Sequence, residues 1–373
     1  MSRGAGGRLE GCVLTPEGWV AGHVEVEGGR IAGVRGQPLS PGQQPEAGLI
    51  VPGFIDLHVH GGGGHDWQGG EEAVRGLARF HARHGTVALA PTTATAKPEV
   101  IERALAAIKA VKDDPQGGEA AVLGAHLEGP FISPNKLGAQ EDEALAGDPA
   151  LAARWAAAYP LLVATVAPEI PGGLDTIETL ANAGCKVQVA HSLATAEQTA
   201  AGFRRGLSGF THLFNAMSGV DHRAPGVAAY ALAHAEFAEI ICDLLHVHPD
   251  VLRAAYRAIP NLYAISDATM AGLADGSHHW GGHQVIKRGL RVTLDDGVTL
   301  AGSAITLGDA FRNLVAIGFT LEQASALTST RQSHYLGRTD LGAIEAGRRA
   351  SLVRLDAGLQ AETVLVDGVE IGR

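Results

Sequence analysis

The chain has 373 residues and a net charge of -11, and 46% of its residues are hydrophobic. That length can bury the core of one large domain plus a small one, whereas the acidic balance argues against a nucleic-acid partner, which needs a basic face. No apolar run reaches about 18 residues without a charge, so we expect no membrane span. The N-terminus lacks a secretory apolar segment and the three cysteines form no CxxC pair, so we expect a cytoplasmic protein with reduced thiols.

The middle of the chain alternates apolar, β-like segments with helical patterns. The predicted strands are 50–57, 86–90, 120–127, 161–167, 186–191, 209–213, 238–244 and 261–266. The predicted helices are about 71–84, 98–112, 150–158, 174–183, 195–205, 226–235, 249–258 and 306–317. Eight βα units over roughly 260 residues fit a (β/α)8 barrel. A doubly wound open sheet is less favoured, because polar residues recur at the ends of many strands and not at one switch point.

Short β-like segments occupy both ends of the chain, over 9–35 and 350–371, and a stretch rich in Pro, Gly and Gln over 36–48 connects the first of them to the barrel. Isolated hairpins are marginal, so we expect one small domain made from both ends. The predicted fold class is α/β, a (β/α)8 TIM-like barrel with a small β-sandwich domain built from both chain termini. The predicted division is 1–48 and 336–373 for the small domain and 49–335 for the barrel.

Potential metal ligands stand at the ends of the predicted strands. The first strand ends in His58 and His60, whose side chains point to the same side as residues i and i+2 of a strand. The other strand ends carry His126, Glu128, His191, His212, His246, His248 and Asp267. The C-terminal ends of barrel strands meet on one face, where the site of such a barrel lies. We therefore expect a divalent metal site among these residues, held by Glu128, His191 and His212, with His58 and His60 beside them.

The residue types suggest the chemistry. Glu128, His191 and His212 would supply a carboxylate and two imidazoles, which leaves a coordination position open for water, as in catalytic zinc sites. A metal at this position lowers the pKa of water and polarises a substrate carbonyl. Asp267 suits a general base that takes the proton of water and returns it to a leaving amine.

Structural roles are the alternative for each residue taken alone. A single histidine near a strand end is more often hydrogen-bonded within the fold, and Asp267 could instead cap a helix or a turn. We assign a structural role to His23, His65, His81, His84, His234, His278, His279, His283 and His334. His222 and His248 stay open.

Eight segments of the chain carry a family resemblance. They are Pro52 to Gly61, His126 to Phe131, Ala190 to Ala194, Thr211 to Met217, Leu245 to Val247, Ser266 to Ala268, Leu300 to Ser303 and Gly342 to Gly347. In this order they resemble the amidohydrolase superfamily and, more narrowly, its N-acetylglucosamine-6-phosphate deacetylase family. The His-Leu-Glu-Gly-Pro and His-Leu-x-Asn-Ala-Met blocks are the most specific.

The resemblance implies a metal-dependent amide hydrolase that removes the N-acetyl group of N-acetyl-D-glucosamine 6-phosphate in amino-sugar catabolism. It implies one or two divalent ions per subunit (Zn, Fe, Co, Mn or Ni) held by Glu128, His191 and His212, with Asp267 as acid and base. Some family members lack the first-strand histidines and use one metal. This chain keeps His58 and His60, so a second ion bridged by Glu128 is expected.

The resemblance also implies a set of substrate-binding residues and a homodimer. Arg223 matches a phosphate-binding arginine, and some phosphate contacts in the family cross a dimer interface; an arginine fork is also a sound phosphate ligand on physical grounds. The implied substrate-binding residues are Ala139, Gln140, Asn215, Ala216, Arg223, His246, Leu300, Ala301 and Gly302. Gln140 departs from a histidine that is common in the family; glutamine can donate a hydrogen bond but cannot carry a proton charge.

Two other functions are considered. The chain could be a different amidohydrolase, such as an N-acetylgalactosamine-6-phosphate deacetylase or a cyclic amidase, and dependence on a substrate phosphate would discriminate. It could instead be a binding or scaffold protein that has lost its metal. The intact Glu128, His191, His212 and Asp267 argue against that second possibility.

Overall fold

The computed structural model describes residues 7–40, 42–45 and 48–372. The strands, in chain order, are β1 (Gly7–Thr15), β2 (Gly18–Glu27), β3 (Arg30–Pro38), β4 (Leu49–Pro52), β5 (Phe54–Val59), β6 (Gly61–Gly62), β7 (His65–Asp66), β8 (Thr86–Pro91), β9 (Ala121–Val122), β10 (Ala125–Glu128), β11 (Leu161–Thr165), β12 (Lys186–Val189), β13 (Leu207–Phe210), β14 (Phe237–Ile241), β15 (Asn261–Ile265), β16 (Gly276–Trp280), β17 (His283–Arg288), β18 (Arg291–Leu294), β19 (Leu352–Leu355), β20 (Ala361–Val366) and β21 (Val369–Glu370).

The helices are α1 (Gly70–Arg83), α2 (Pro98–Asp113), α3 (Pro149–Ala158), α4 (Gly173–Asn182), α5 (Ala196–Arg204), α6 (Val227–His234), α7 (Pro249–Ala258), α8 (Leu307–Ala316), α9 (Leu321–Ser325) and α10 (Arg331–Tyr335). A π-helical turn, Ala326–Thr330, joins α9 to α10.

A closed barrel of parallel strands forms the centre of the molecule. β5, β8 and β9 pair in parallel, β10 to β13 form a second parallel run, and β14 pairs with β15. Residues at the strand ends join these runs into a ring: Thr92 bridges to His126, Val59 bridges to Ala268, and Leu213 donates a backbone hydrogen bond from the end of β13 to β14. The predicted (β/α)8 barrel is confirmed.

All eight predicted helices form, each after one barrel strand. Their starts carry ordinary helix signals. Thr195 and Thr306 cap α5 and α8, and each is paired with an N3 side chain, Gln198 or Asp309, in a capping box. Proline occupies the first turn of α2, α3 and α7. The apolar faces of the helices and strands share one continuous core.

The apolar segment predicted as a single strand over 50–57 divides at Gly53. A Cβ atom at Gly53 would lie 2.2 Å from the side chain of Val87, so only glycine allows β5 to approach β8 this closely. β4, before the break, pairs in parallel with β1 and antiparallel with β19. β5, after the break, enters the barrel and carries the first-strand histidines to its mouth.

Seven strands from both ends of the chain form a separate sheet in the order β21-β20-β19-β4-β1-β2-β3. The sheet bends until its β2–β3 turn meets its β20–β21 turn, where a Cβ atom at Gly368 would lie 2.9 Å from the Cα atom of Gly29. Its concave face encloses a small core of its own, which includes Val13, Ile50 and Leu352. The predicted β domain from both termini is confirmed, as one bent sheet.

A three-stranded antiparallel sheet, β16 to β18, stands between β15 and α8 and has no counterpart in the sequence prediction. It brings the residues at the end of β16 to the C-terminal mouth of the barrel. Among the described residues, no helix is long and apolar enough to cross a membrane.

Candidate metal centre

Three of the predicted site residues lie two positions beyond the end of a barrel strand: His191 after β12, His212 after β13 and Asp267 after β15. All three have positive φ angles, 47°, 31° and 50° respectively. Residues other than glycine rarely adopt this backbone conformation. It costs about 1–3 kcal/mol and persists where the surrounding structure enforces it. The shared conformation turns the chain away at the strand end and leaves each side chain at the barrel mouth.

Glu128, His191 and His212 form one cluster of potential ligands. Oε1 of Glu128 lies 2.8 Å from Nε2 of His212 and 3.2 Å from Nε2 of His191, and the two Nε2 atoms are 3.1 Å apart. All three side chains are buried. These three donors are close enough together to hold one metal ion.

His58, His60 and Asp267 form a second cluster beside the first. The Nε2 atoms of His58 and His60 are 3.2 Å apart and lie 3.4 and 3.3 Å from Oδ1 of Asp267. The other carboxylate oxygen of Glu128, Oε2, lies 3.6 Å from His58 and 3.3 Å from His60. Glu128 therefore stands between two donor sets, each of which could hold one ion.

The outer nitrogens of two rings show which nitrogens are free to bind a metal. Nδ1 of His60 lies 3.1 Å from the carbonyl oxygen of Thr92, and Nδ1 of His191 lies 2.8 Å from that of Lys136. Because a carbonyl oxygen only accepts, each Nδ1 carries the hydrogen and each neutral ring presents a lone pair at Nε2. In His212, Nδ1 is buried without a hydrogen-bond partner among the described residues.

This arrangement fits a bound cation. The Nε2 atoms of His58, His60, His191 and His212 each lie within 3.6 Å of a carboxylate oxygen of Glu128, and no Lys or Arg is ion-paired to Glu128 among the described residues. A buried group of acceptors is unfavourable unless a positive charge lies between them. Imidazole and carboxylate together suit Zn, Fe, Co, Mn and Ni.

The pKa shifts in the two clusters also indicate that the carboxylates stabilise positive charge beside them. Burial raises the pKa of Glu128, but the charge of His58 and the polar contacts of this carboxylate with His191 and His212 outweigh it and hold that pKa well below the usual range. Burial disfavours a charge on His58, yet Glu128 and Asp267 raise its pKa well above the ordinary value. For Asp267, burial is outweighed by His58 and His60, which lower its pKa to about 2. Both carboxylates stay ionised, and a divalent ion competes with protons for the site.

A cavity of about 430 Å³ opens above the two clusters. Seven of the nine predicted substrate-binding residues line it: Ala139, Gln140, Asn215, Ala216, His246, Leu300 and Gly302. The other two, Ala301 and Arg223, do not. Ala301 is fully buried behind its neighbours, and Arg223 is exposed on the loop before α6. Sequence reasoning missed six lining residues: Asn135, Lys136, Leu137, Gly138, Trp280 and Thr299.

Two of the predicted residues have definite partners at the cavity wall. Nδ1 of His246 lies 2.7 Å from Oδ2 of Asp243; burial opposes a charge on this ring, but Asp243 raises its pKa. Gln140 donates from Nε2 to Oε2 of Glu128 over 2.7 Å and accepts a hydrogen bond from the backbone of Thr95. His246 thus favours an anionic group in the cavity, whereas Gln140 supports the shared carboxylate.

The remaining strand-end histidines, His126 and His248, do not belong to either cluster. His126 is fully buried beneath the metal centre, with Nδ1 3.0 Å from the carbonyl of Leu57 and Nε2 3.0 Å from the hydroxyl of Thr165. His248 is exposed and accepts a hydrogen bond from Asp250 at the start of α7. Neither ring faces the cavity.

One further acidic residue lies directly behind the centre. Glu239, in the middle of β14, is fully buried, and its Oε2 lies 3.0 Å from Nδ1 of His58. The sequence carries a signal for it, a lone charge inside the apolar segment 237–241. That signal alone does not indicate which side chain the carboxylate meets.

Comparisons with known proteins agree with this geometry. The model of the amidohydrolase family matches residues 49–370. The N-acetylgalactosamine-6-phosphate deacetylase of Escherichia coli O157:H7 is 35% identical over 369 residues, covering 95% of this chain and 96% of that protein. The N-acetylglucosamine-6-phosphate deacetylase of Vibrio furnissii is 35% identical over 329 residues, covering 86% and 82%.

A solved structure is similar over nearly the whole fold. It is a mutant N-acetyl-D-glucosamine-6-phosphate deacetylase from Mycobacterium smegmatis in complex with N-acetyl-D-glucosamine-6-phosphate, with a TM-score of 0.90 at 30% identity, covering 99% of this chain and 100% of that one. The chain belongs to the amidohydrolase family.

Proposed function

We propose that this protein hydrolyses the N-acetyl group of N-acetyl-D-glucosamine 6-phosphate to glucosamine 6-phosphate and acetate, as a step of amino-sugar catabolism. The observation that carries the proposal is the pair of buried donor sets sharing Glu128 at the floor of a cavity of about 430 Å³. Relatives that are 30–35% identical and act on N-acetyl hexosamine 6-phosphates, as their names state, support the substrate class.

Glu128, His191 and His212 are assigned to one divalent ion, and His58 and His60 to a second. When bound, such an ion lowers the pKa of water and polarises the acetyl carbonyl. Zn, Fe, Co, Mn and Ni are all compatible with these ligands.

Asp267 is assigned as the general acid and base. Its low pKa keeps it ionised, so it can accept a proton from the water whose oxygen bonds to the acetyl carbon. When the carbon–nitrogen bond breaks, Asp267 returns the proton to the amine, and acetate leaves. Asn215 and Ala216, on the cavity wall, are assigned to holding the sugar, together with Ala139, Gln140, Leu300 and Gly302. Ala301 is buried behind them and is assigned to supporting this wall.

The phosphate is assigned to His246 and Arg223. Asp243 favours the charged form of His246, which faces the cavity. Arg223 is exposed and lies outside the lining of its own chain's cavity, so it would act on the cavity of a second subunit in a homodimer. All three cysteines lie within the described residues, where they are buried and form no disulfide, which supports a reducing, cytoplasmic location.

An amine-release assay tests the function. It compares N-acetylglucosamine 6-phosphate, its galactosamine epimer and unphosphorylated N-acetylglucosamine, each with and without a chelator. We expect the first substrate to have the highest kcat/KM and the chelator to abolish turnover. Preference for the epimer would establish the alternative function, an N-acetylgalactosamine-6-phosphate deacetylase. The similarity to the Escherichia coli enzyme of that name, over 96% of its length, is the observation that favours this alternative. No turnover and no bound metal would contradict enzyme function altogether.

The phosphate assignment has its own test. Arg223→Ala should raise KM for the phosphorylated substrate and leave the unphosphorylated one unaffected. Arg204→Ala, at an equally exposed arginine on α5 outside the cavity lining, is the matched control. Equal losses on both substrates would show that Arg223 does not read the phosphate.

A further inference from the structure

Glu239 has an unusual setting for a carboxylate. It is fully buried in β14, and its Oε2 lies 3.0 Å from Nδ1 of His58 and accepts a weaker contact, 3.4 Å, from the backbone N–H of His212. Its Oε1 accepts a hydrogen bond of 3.3 Å from the hydroxyl of Tyr263. Across the described part of the chain, no lysine or arginine is ion-paired with Glu239. His58 is therefore its ionisable partner.

The other rings of the centre are supported differently. Nδ1 of His60 and Nδ1 of His191 each meet a neutral backbone carbonyl, and that of His212 has no partner among the described residues. Of the four rings, His58 is therefore the one whose outer nitrogen faces a carboxylate. A carboxylate behind a histidine fixes its tautomer and orientation and makes its inner nitrogen a stronger metal ligand.

Glu239 is not itself well placed to hold an ion. His58, His126 and Glu239 lie close enough to suggest a third donor group. However, both nitrogens of His126 are engaged, one by the carbonyl of Leu57 and the other by the hydroxyl of Thr165. In His58, Nδ1 faces Glu239 and must carry the hydrogen, because Nε2, beside Asp267, needs its lone pair to bind a metal ion. The carboxylate therefore acts from behind the centre, through His58.

We infer that Glu239 is a positioning residue for the second cation, the one held by His58, His60, Asp267 and the shared Glu128, and that it determines whether the protein holds two ions or one. The inference rests on the proposed function for its metal, and it concerns the number of ions and not the reaction. Loss of the Glu239 carboxylate should weaken the second ion and leave the ion at Glu128, His191 and His212 in place.

Ion binding to the full chain tests this directly. Wild type and Glu239→Gln are stripped with a chelator and equilibrated with buffered Zn²⁺, and the zinc bound per chain is measured by mass spectrometry. We expect two ions in the wild type and, in the variant, a second ion bound about 10- to 100-fold more weakly with the first unchanged. Two ions bound to the variant with wild-type affinity would overturn the inference.

Two controls separate positioning from general damage. Glu119→Gln removes another buried carboxylate, one that pairs with Arg75 and Arg79 away from the centre, and should keep both ions. Tyr263→Phe removes the hydrogen bond to the far oxygen of Glu239 and leaves the His58 contact, and it should also keep both. If Tyr263→Phe weakens the second ion as much as Glu239→Gln does, the buried network and not the His58 contact is responsible, and the inference fails.

The remaining outcomes are also decisive. If Glu239→Gln does not fold, Glu239→Asp is used instead, because it keeps the charge but withdraws it from His58. Binding of the second ion should be weaker in this variant too. Zinc binding with wild-type affinity would contradict the inference. A wild type that hydrolyses its substrate with one ion per chain would overturn the role of Glu239 and leave the proposed function intact.

Discussion

Glu119 and Glu128 are buried carboxylates at opposite ends of the segment that contains β9 and β10, and their neighbours differ in kind. Glu119 pairs with Arg75 at 3.1 Å and Arg79 at 3.0 Å, whereas Glu128 faces imidazole nitrogens, with His212 at 2.8 Å. A guanidinium is charged at every accessible pH and balances its carboxylate permanently. An imidazole can lose its proton and leave a lone pair. The lower end of the barrel is thus built for stability, and the upper end is built to receive an exchangeable cation.

Glu128→Gln should produce the largest effect. Removing the shared carboxylate weakens both donor sets, and we expect kcat/KM to fall by about a thousandfold or more, since a metal supplies several kcal/mol to such a reaction. The chelator-treated variant should unfold within a few degrees of the chelator-treated wild type, because the imidazoles can become neutral. Steady-state kinetics and thermal unfolding measure the two quantities. Activity close to wild type would mean that this end of the barrel does not depend on its carboxylate.

Asp267→Asn should lower kcat by about a hundred- to ten-thousandfold, the usual contribution of a general acid or base. We expect the zinc bound at Glu128, His191 and His212 to remain, as measured by metal analysis of the same sample. Asp275→Asn, at an exposed aspartate outside the cavity lining, is the control and should keep full activity. A loss in Asp267→Asn no greater than in this control would remove Asp267 from the mechanism.

Glu119→Gln should show the opposite behaviour. Arg75 loses a buried partner but keeps Glu71 and Asp114, so we expect the free energy of unfolding to fall by about 2 kcal/mol in urea denaturation. Activity and metal content should stay close to wild type. If catalysis falls and stability does not, the proposed division between the two ends of the barrel is wrong.

Gln140→Leu should give the smallest effect. Gln140 donates a hydrogen bond of 2.7 Å to Glu128. It is a neutral partner, whereas Arg75 is a charged partner of Glu119. Its removal leaves one carboxylate oxygen of Glu128 without this hydrogen bond. We expect metal affinity to weaken about tenfold, as is typical when an outer partner of a ligand is lost. Zinc titration of the stripped protein measures it. Unchanged affinity would show that the amide serves only the substrate side of the cavity.

The sequence predicts Glu128, His191 and His212 as one donor set and His58 and His60 as a second, with Asp267 beside them as the base, because parallel strands end on one face of a barrel. His191, His212 and Asp267 follow apolar segments, so their convergence follows once the barrel is assumed. The left-handed backbone at these three positions was not predictable, because it depends on how each loop leaves its strand. The same limit explains why the predicted strand over 186–191 ends at Val189 in the structure.

Residues that reach the centre from other elements escaped the sequence analysis. Trp280 comes from the unpredicted sheet β16 to β18, and its ring lies 5.3 Å from that of His60. Lys136 lies on the loop after β10, and Glu239 lies within a strand that reads as apolar. Tertiary packing alone decides which of these side chains meet the cavity, as Trp280 and Lys136 do, or support the centre from behind, as Glu239 does.

The position of β4 has a consequence for biosynthesis. β4 lies between β1 and β19 and continues, past Gly53, into the strand that carries His58. During synthesis, β4 therefore lacks one of its two partner strands until residues 352–355, which form β19, have left the ribosome. We expect translation products that stop before β19 to expose an open edge on β4 and to need chaperone protection, however complete their barrel segments are.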